Sequence, residues 1–240
     1  MKREKKRGKW VGYVMSVVWF LSMAMAGFFT PYFTDNIPFF KVKALHLQGL
    51  ETIPPEVVAQ EVSKLKNNWL FISEGVLLKN LNQATGNAVS SLDLSRSFRK
   101  GGVELIVSLQ ERRPFFSLVK DGELLFFDEK GVPFSSPYLQ AVEPLIYAHD
   151  IELVKQNFHK IKSLLDTMGG EVEEVYLTEI STVVYTKDRV KIVLPPPILL
   201  QEELLRKIAK LHKNYNLVLN VKEMEVSTEG LIIVRHGEAE

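Results

Sequence analysis

The chain has 240 residues, no cysteine, and 30 Lys or Arg against 29 Asp or Glu, a net charge of +1. The missing cysteines exclude disulfides, thiolate metal sites and cysteine nucleophiles. Charge is unevenly placed: residues 1–9 hold six basic residues and one Glu, leaving 24 basic against 28 acidic residues in the rest, which speaks against a nucleic-acid surface.

Lys2, Arg3, Lys5, Lys6, Arg7 and Lys9 form a basic tail, residues 1–9, in front of an apolar stretch, residues 10–34. No charged residue stands between Lys9 and Asp35. At about 1.5 Å per residue, Val11–Phe29 as a helix reaches across the ~30 Å hydrocarbon core of a bilayer. Basic flanks stay on the cytoplasmic side, so a single-pass protein is expected, N-terminus in and C-terminal domains out. Trp10, Tyr13 and Tyr32 are placed as interfacial anchors. A cleaved signal peptide, with Ala24-Met25-Ala26 as its processing site, is the competing reading. The apolar run continues through Gly27, Phe28 and Phe29, which favours retention.

Residues 39–112 read as a small β-α-α-β-β domain. Val42, Leu45 and Leu47 suggest a strand that ends at Gly49. Thr52 before Pro54, Pro55 and Glu56 is a helix-start signal, and Val58, Val62 and Leu65 follow on one helical face. A second helix is expected around Gly75–Leu81, with Val76, Leu77, Leu78 and Leu81 apolar, then a strand near Ala88–Arg96 and a turn at Lys100-Gly101-Gly102. Val103, Leu105, Val107 and Leu109 alternate with Glu104, Ile106, Ser108 and Gln110, the clearest strand in the chain.

Residues 113–235 read as a mixed, largely antiparallel β domain with two helices. Phe115–Val119 and Leu124–Phe127 flank Lys120-Asp121-Gly122, a hairpin signal. Asp150 caps a helix carrying Ile151, Val154, Phe158, Ile161 and Leu165 as one stripe, stopped at Gly169-Gly170. Strands are expected at Val172–Leu177, Thr182–Thr186 and Val190–Leu194. After Pro195-Pro196-Pro197 a helix follows with Leu200, Leu204, Ile208 and Leu211 on one face. Strands Lys222–Ser227 and Gly230–Arg235 come last, and residues 236–240 read as a disordered tail. The fold class is therefore α+β.

No catalytic constellation emerges. His46, His149, His159, His212 and His236 stand singly, and there is no nucleophile elbow or phosphate loop. His149-Asp150 reads as a loop histidine before a helix cap. Glu111-Arg112-Arg113 at a strand exit reads as a solvated rim, and Glu173-Glu174 as neighbours pointing to opposite faces. Neither an enzyme, a cofactor, a metal nor a small-molecule substrate is expected.

Val107-x-Leu109-x-Glu111-Arg112-x-Pro114, followed by Phe127-Asp128-x-x-Gly131-Val132-Pro133-Phe134, resembles the FtsQ/DivIB cell-division family. There an E-R-x-P strand end leads from a POTRA domain into a β domain whose early hairpin closes on a D-x-x-G turn. Phe40-x-Val42-x-x-Leu45-x-Leu47-x-Gly49, with Pro55-Glu56-x-Val58, is similar to a POTRA opening. Departures are the Lys100-Gly101-Gly102 turn, where relatives tend to carry proline, and Glu143-Pro144-Leu145-Ile146 in place of a Leu-Pro segment. The helix after Pro197 also lacks its usual preceding glycine.

The resemblance implies a non-enzymatic, bitopic scaffold of the bacterial divisome, in the cytoplasmic membrane at the division septum. It would link cell-division proteins and recruit FtsB/FtsL (DivIC)-like partners. A POTRA-bearing component of protein transport or outer-membrane assembly is the alternative, but tandem repeats and barrel strands are missing. A membrane-tethered hydrolase is disfavoured by the absent constellation. The expected partner site is Gly230, Leu231, Ile232, Ile233, Val234 and Arg235. This segment is the last strand before a polar tail and is unusually apolar, which fits either an edge strand open to a partner or a strand covered on both faces by its own domain; the resemblance implies partner binding at the end of the β domain and favours the first.

Overall fold

The computed structural model of the protein describes residues 4–36, 42–65, 72–99, 102–219 and 221–236. It is α+β and divides into two compact units, Met1–Ala84 with Val89–Glu111, and Thr85–Ala88 with Arg112–Glu240. Helix α1 (Glu4–Asn36) starts inside the basic tail and outlasts the apolar stretch at both ends. Its segment Trp10–Thr30, 21 residues with a mean hydropathy of 1.7, is long and apolar enough to cross a membrane, and none of it is buried.

The first unit continues with β1 (Val42–Gln48), α2 (Pro55–Lys64), α3 (Glu74–Thr85), β2 (Val89–Arg99) and β3 (Gly102–Glu111). Strand β3 is central, parallel to β1 and antiparallel to β2. Its alternation is realised in the packing: Val103, Leu105, Val107 and Leu109 are buried, while Glu104, Ile106 and Ser108 are half-buried and Gln110 is exposed. Helix α2 buries Val58 and Val62, and α3 buries Leu77 and Leu81, so the same core is closed from the helical side. Val76, expected among the apolar positions of α3, is exposed, because one step along a helix turns a side chain by about 100°. Lys100 and Gly101 of the expected turn lie outside the described residues, and Gly102 already belongs to β3.

Thr52 does not cap α2. Pro54 occupies the cap position without a side-chain bond, and the Thr52 hydroxyl donates instead to Glu111 at the end of β3. The same carboxylate accepts the backbone N–H groups of Glu51, Thr52 and Ile53 at 2.8–3.1 Å. Glu111 therefore ties the β1–α2 connection to the central strand and is not part of a solvated rim. Burial pushes its carboxyl up. The Thr52 hydroxyl and the Ile53, Glu51 and Thr52 amides outweigh that and hold it below its ordinary value. Gly49, at φ +78°, lies where a Cβ would strike the Leu109 carbonyl, so the turn out of β1 requires glycine.

The second unit holds β4 (Phe116–Lys120), β5 (Glu123–Phe127), β6 (Pro133–Phe134), β7 (Leu145–Ala148), α4 (Ile151–Gln156), α5 (Phe158–Met168), β8 (Val172–Leu177), β9 (Thr182–Thr186), β10 (Lys191–Leu194), α6 (Glu202–Leu219), β11 (Val221–Val226) and β12 (Ile232–His236). The strands form one nine-stranded sheet in the order β12-β11-β10-β9-β8-β7-β4-β5-β6. Pairs β4–β7, β7–β8 and β10–β11 are parallel and the other five antiparallel. Asp121 and Gly122 both take positive φ in the β4–β5 turn, as a tight hairpin demands.

Three helices serve this unit instead of the expected two. Asp150 does cap the first, accepting the Glu152 N–H, but the expected continuous helix breaks at Asn157 into α4 and α5. Val154, Phe158, Ile161 and Leu165 remain buried across the break. The expected α6 stripe also shifts. Leu200 precedes the helix, and the buried face runs through Leu205, Ile208 and His212, with Leu204 and Leu211 half-buried at its margins.

Arg112 and Asp128 organise the start of this unit. Arg112 Nη1 donates to Asp128 Oδ2 at 2.7 Å, with both side chains mostly buried. Its Nε donates to the Asn87 carbonyl, and its backbone N–H to that of Ala88. Asp128 Oδ1 accepts the N–H groups of Lys130 and Val132, and Gly131 N–H donates to the Asp128 carbonyl. Gly131 has φ +79° and lies against the Phe158 ring, where a Cβ would clash. The sequence expectation of a solvated Glu-Arg-Arg rim is thus corrected at two of its three residues.

Val107→Asp should unfold the first unit, since a carboxylate forced into this core costs several kcal/mol against a total stability of about 5–15. Ser108→Asp, on the wetter face, should move the thermal midpoint little; similar losses from both would mean the strand faces are reversed. For Glu111, the lowered pKa makes its contribution fully present above 4.5 and withdrawn as pH falls from there through the folded-state value. Glu111→Gln should therefore lower stability at pH 7 by about 2 kcal/mol and flatten the acid limb of a denaturant-unfolding series. An unchanged acid limb would remove Glu111 from the account.

Candidate partner-binding site

The candidate site is built on β12 and the sheet face beside it. Among the described residues no strand lies on the far side of β12, which stands at the end of the sheet order. The connection from β11 explains its register. Gly230, at φ +84°, closes a turn by donating to the Ser227 carbonyl, and Ser227 N–H then donates to the Leu231 carbonyl. Backbone bonding in an antiparallel pair alternates from there. With Val226 opposite Ile232, Glu225 opposite Ile233, Met224 opposite Val234 and Glu223 opposite Arg235, Ile233 and Arg235 bond to β11. Ile232 and Val234 turn their N–H and C=O groups to the open edge.

Side chains divide in the same rhythm. Ile232 and Val234 pack against the hydrophobic core, whereas Leu231 and Ile233 are 63% and 46% exposed on the opposite face. The apolar run is therefore not covered on both faces within the described residues. Four of the six expected residues, Ile232, Ile233, Val234 and Arg235, lie in β12. Gly230 and Leu231 belong to the turn, and His236, expected in the tail, pairs with Val221 inside the strand. The remaining tail residues lie outside the described ones.

Arg235 donates to Glu223 and Glu225, and Lys191 donates to Glu223 at 2.9 Å, a charged ladder running from β10 to the edge. The Lys191 hydrogen bond holds the Glu223 carboxyl below its usual range, and the same bond lifts the Lys191 ammonium above its own.

The sheet's outer face also carries an arrangement that sequence reasoning missed. Registers place Tyr147, Tyr176, Val183, Val193, Glu225 and Ile233 in one row across six strands. Tyr147 and Tyr176 stack at 4.5 Å, Tyr185 meets Tyr176 edge-on, and both stacked phenols donate to Glu174. Burial and the Glu174 carboxylate push the Tyr176 phenol up to about 12, so it stays a donor. Glu174 is thus a receiver on the outer face, and Glu173 is exposed. The signal was available for two of them: Tyr147 and Tyr176 each occupy an outward position in a strand whose alternate residues are apolar, whereas Tyr185 alternates with Thr182, Val184 and Thr186.

The histidines are not brought together, and among the described residues no group of three His, Asp or Glu side chains is placed to hold a metal ion. Of the sequence-singled residues, His149 is an exposed loop residue before the Asp150 cap.

The alternation in β12 can be read directly by amide hydrogen exchange. Ile233 and Arg235 should be protected and Ile232 and Val234 should exchange fast; the reverse order would place the free groups on the other residues. Compared with known proteins, the chain matches no protein-family model and no curated protein.

Proposed function

We propose that this chain is a bitopic membrane scaffold of the bacterial divisome, of the FtsQ/DivIB type. In this reading α1 spans the cytoplasmic membrane, the basic tail stays inside, and the two units stand outside at the septum. The first unit is a POTRA domain, a reading supported by its β-α-α-β-β order and its β1-β3-β2 sheet. The second is the β domain, and the roles of Glu111, Arg112 and Asp128 give the E-R-x-P and D-x-x-G motifs a physical purpose.

The observation that carries the proposal is the outer edge of β12, beyond which no strand lies among the described residues, with apolar Leu231 and Ile233 beside it. A strand from an FtsB/FtsL (DivIC)-like partner adds there through main-chain hydrogen bonds, while its side chains extend the apolar and charged rows of the sheet. Nothing in this function requires bond chemistry, so the scaffold acts by holding partners together.

The test uses proline at the two alternating positions. Val234→Pro removes an outward N–H and should lower affinity for the partner's extracytoplasmic segment at least tenfold, about 1.4 kcal/mol, with the fold intact by circular dichroism. Ile233→Pro breaks a ladder bond to β11 and should destabilise the unit itself. Undiminished binding by folded Val234→Pro would move the site elsewhere. A reporter active only outside the cytoplasm, fused after Glu240, should be active, and depletion in the host should give filaments without septa.

A further inference from the structure

Three neighbouring loops at one end of the nine-stranded sheet present apolar side chains to solvent. Strand β8 turns into β9 through residues 178–181, β10 leaves through residues 195–199, and β11 turns into β12 through residues 227–231. Leu177 and Leu194 both pair with Thr182, and Val193 pairs with Glu225, so the three connections stand at the same end. At about 4.8 Å per strand, the distance from β8 to β12 is about 19 Å. Ile180, Ile198, Leu231 and Leu199 are 83%, 72%, 63% and 49% exposed, more than any other large apolar side chain described in this unit. Exposed apolar residues scattered singly are ordinary, but the four most exposed ones gathered at one end mark a contact surface.

Each loop is tied to itself. The Thr178 N–H and hydroxyl donate to the Ser181 carbonyl, and the Ser181 N–H donates back to the Thr178 hydroxyl. Pro195, Pro196 and Pro197 restrict the second loop, where the Leu199 N–H donates to the Pro196 carbonyl. In the third, Gly230 N–H donates to the Ser227 carbonyl and Leu231 N–H to the Ser227 hydroxyl. Loops held in this way lose little conformational entropy when their tips are covered. Charge indicates what covers them. Residues 178–181, 195–203 and 227–231 include Glu179, Glu202, Glu203 and Glu229 and no Lys, Arg or His. Glu202 is answered by Arg206 of its own helix. Apolar surfaces that enter anionic membranes carry basic residues, so this end suits a protein segment that is itself apolar and basic.

We propose that the partner strand at β12 continues into an apolar, basic segment that crosses this end of the sheet. Leu231 directly precedes β12, so a strand added along β12 ends beside it. The continuing chain then meets Ile198 and Leu199 at the exit of β10 and Ile180 at the β8–β9 turn, with its basic residues against Glu229, Glu203 and Glu179. The inference rests on strand addition at β12 and gives that site a second part, read through side chains where the edge is read through backbone.

The chain has no cysteine, so Ile180→Cys can carry a single environment-sensitive fluorophore. The full chain in detergent micelles is titrated with the partner's extracytoplasmic segment, and a blue shift of the label is expected, saturating together with binding measured by calorimetry. Ile180→Ser with Ile198→Ser should weaken binding at least about tenfold with circular dichroism unchanged. Glu179→Gln with Glu229→Gln should weaken it at about 50 mM salt and leave it nearly level up to about 500 mM, a range over which binding to the unsubstituted chain falls. Val234→Pro tests the β12 edge separately. Loss of affinity with Val234→Pro but with neither loop variant would overturn the crossing segment and leave strand addition standing. Loss with the loop variants alone would remove the β12 edge and keep this end as the docking surface, and no binding by the unsubstituted chain would overturn both. A blue shift on reconstitution into phosphatidylethanolamine–phosphatidylglycerol vesicles without the partner would make this end a membrane contact and overturn the proposal.

Discussion

The ion pair between Arg112 and Asp128 is the contact from which the second unit is arranged. Two mostly buried charges are costly unless hydrogen bonds answer them, and here both are hydrogen-bonded beyond their own pair. Asp128 gives one oxygen to the guanidinium and the other to two backbone amides of its own turn, while Arg112 reaches the Asn87 carbonyl with its Nε. Holding Asp128 in this way shapes the turn that carries Gly131 under the Phe158 ring. Phe158 in turn lies against Phe127 and Phe116, the aromatic centre of the core. One residue earlier, Glu111 performs the matching task for the first unit. Consecutive side chains on a strand point to opposite sides, so neighbouring residues can hold different segments.

From β7 to β12 the main core covers one face of the nine-stranded sheet, whereas at the β4–β6 end Ser117, Phe126 and Phe134 are buried on the other face as well. Residues from β4, β5, β7, β8, β9, β10 and β11 join α4, α5 and α6 in one cluster, and from β7 to β12 the opposite face carries tyrosines and charge ladders. Such a face is not an ordinary solvated surface, because Tyr147, Tyr176 and Tyr185 keep their phenols close to carboxylate and to each other. The stacked rings stiffen the middle of the sheet, and the Lys191, Glu223 and Arg235 ladder carries that order to the strand at its end. A stiff edge loses little conformational entropy when another strand joins it, which suits it to β-augmentation.

In the proposed function the protein acts through a surface. That surface is the open side of β12. It offers a row of backbone groups with no intrinsic preference for one partner sequence, and in this reading selectivity comes from Leu231, Ile233 and Arg235.

Local pattern by itself determined the apolar N-terminal helix, the β-α-α-β-β order, the inward set Val103, Leu105, Val107 and Leu109, the Asp121-Gly122 hairpin and the Asp150 cap. These follow from hydropathy period and from residues whose backbone preferences act within a few positions. Four features were decided only by tertiary structure. Thr52 was drawn from a capping role to a carboxylate 59 residues away. The helix after Asp150 broke at Asn157, and the buried face of α6 turned toward Leu205 and His212. The apolar run at Ile232–Val234 proved half covered, because a strand at the end of a one-faced sheet has only one side to bury. For Thr52 and for the strand at the end of the sheet the deciding partner is remote in the chain, and no local propensity encodes which distant donor or strand will arrive.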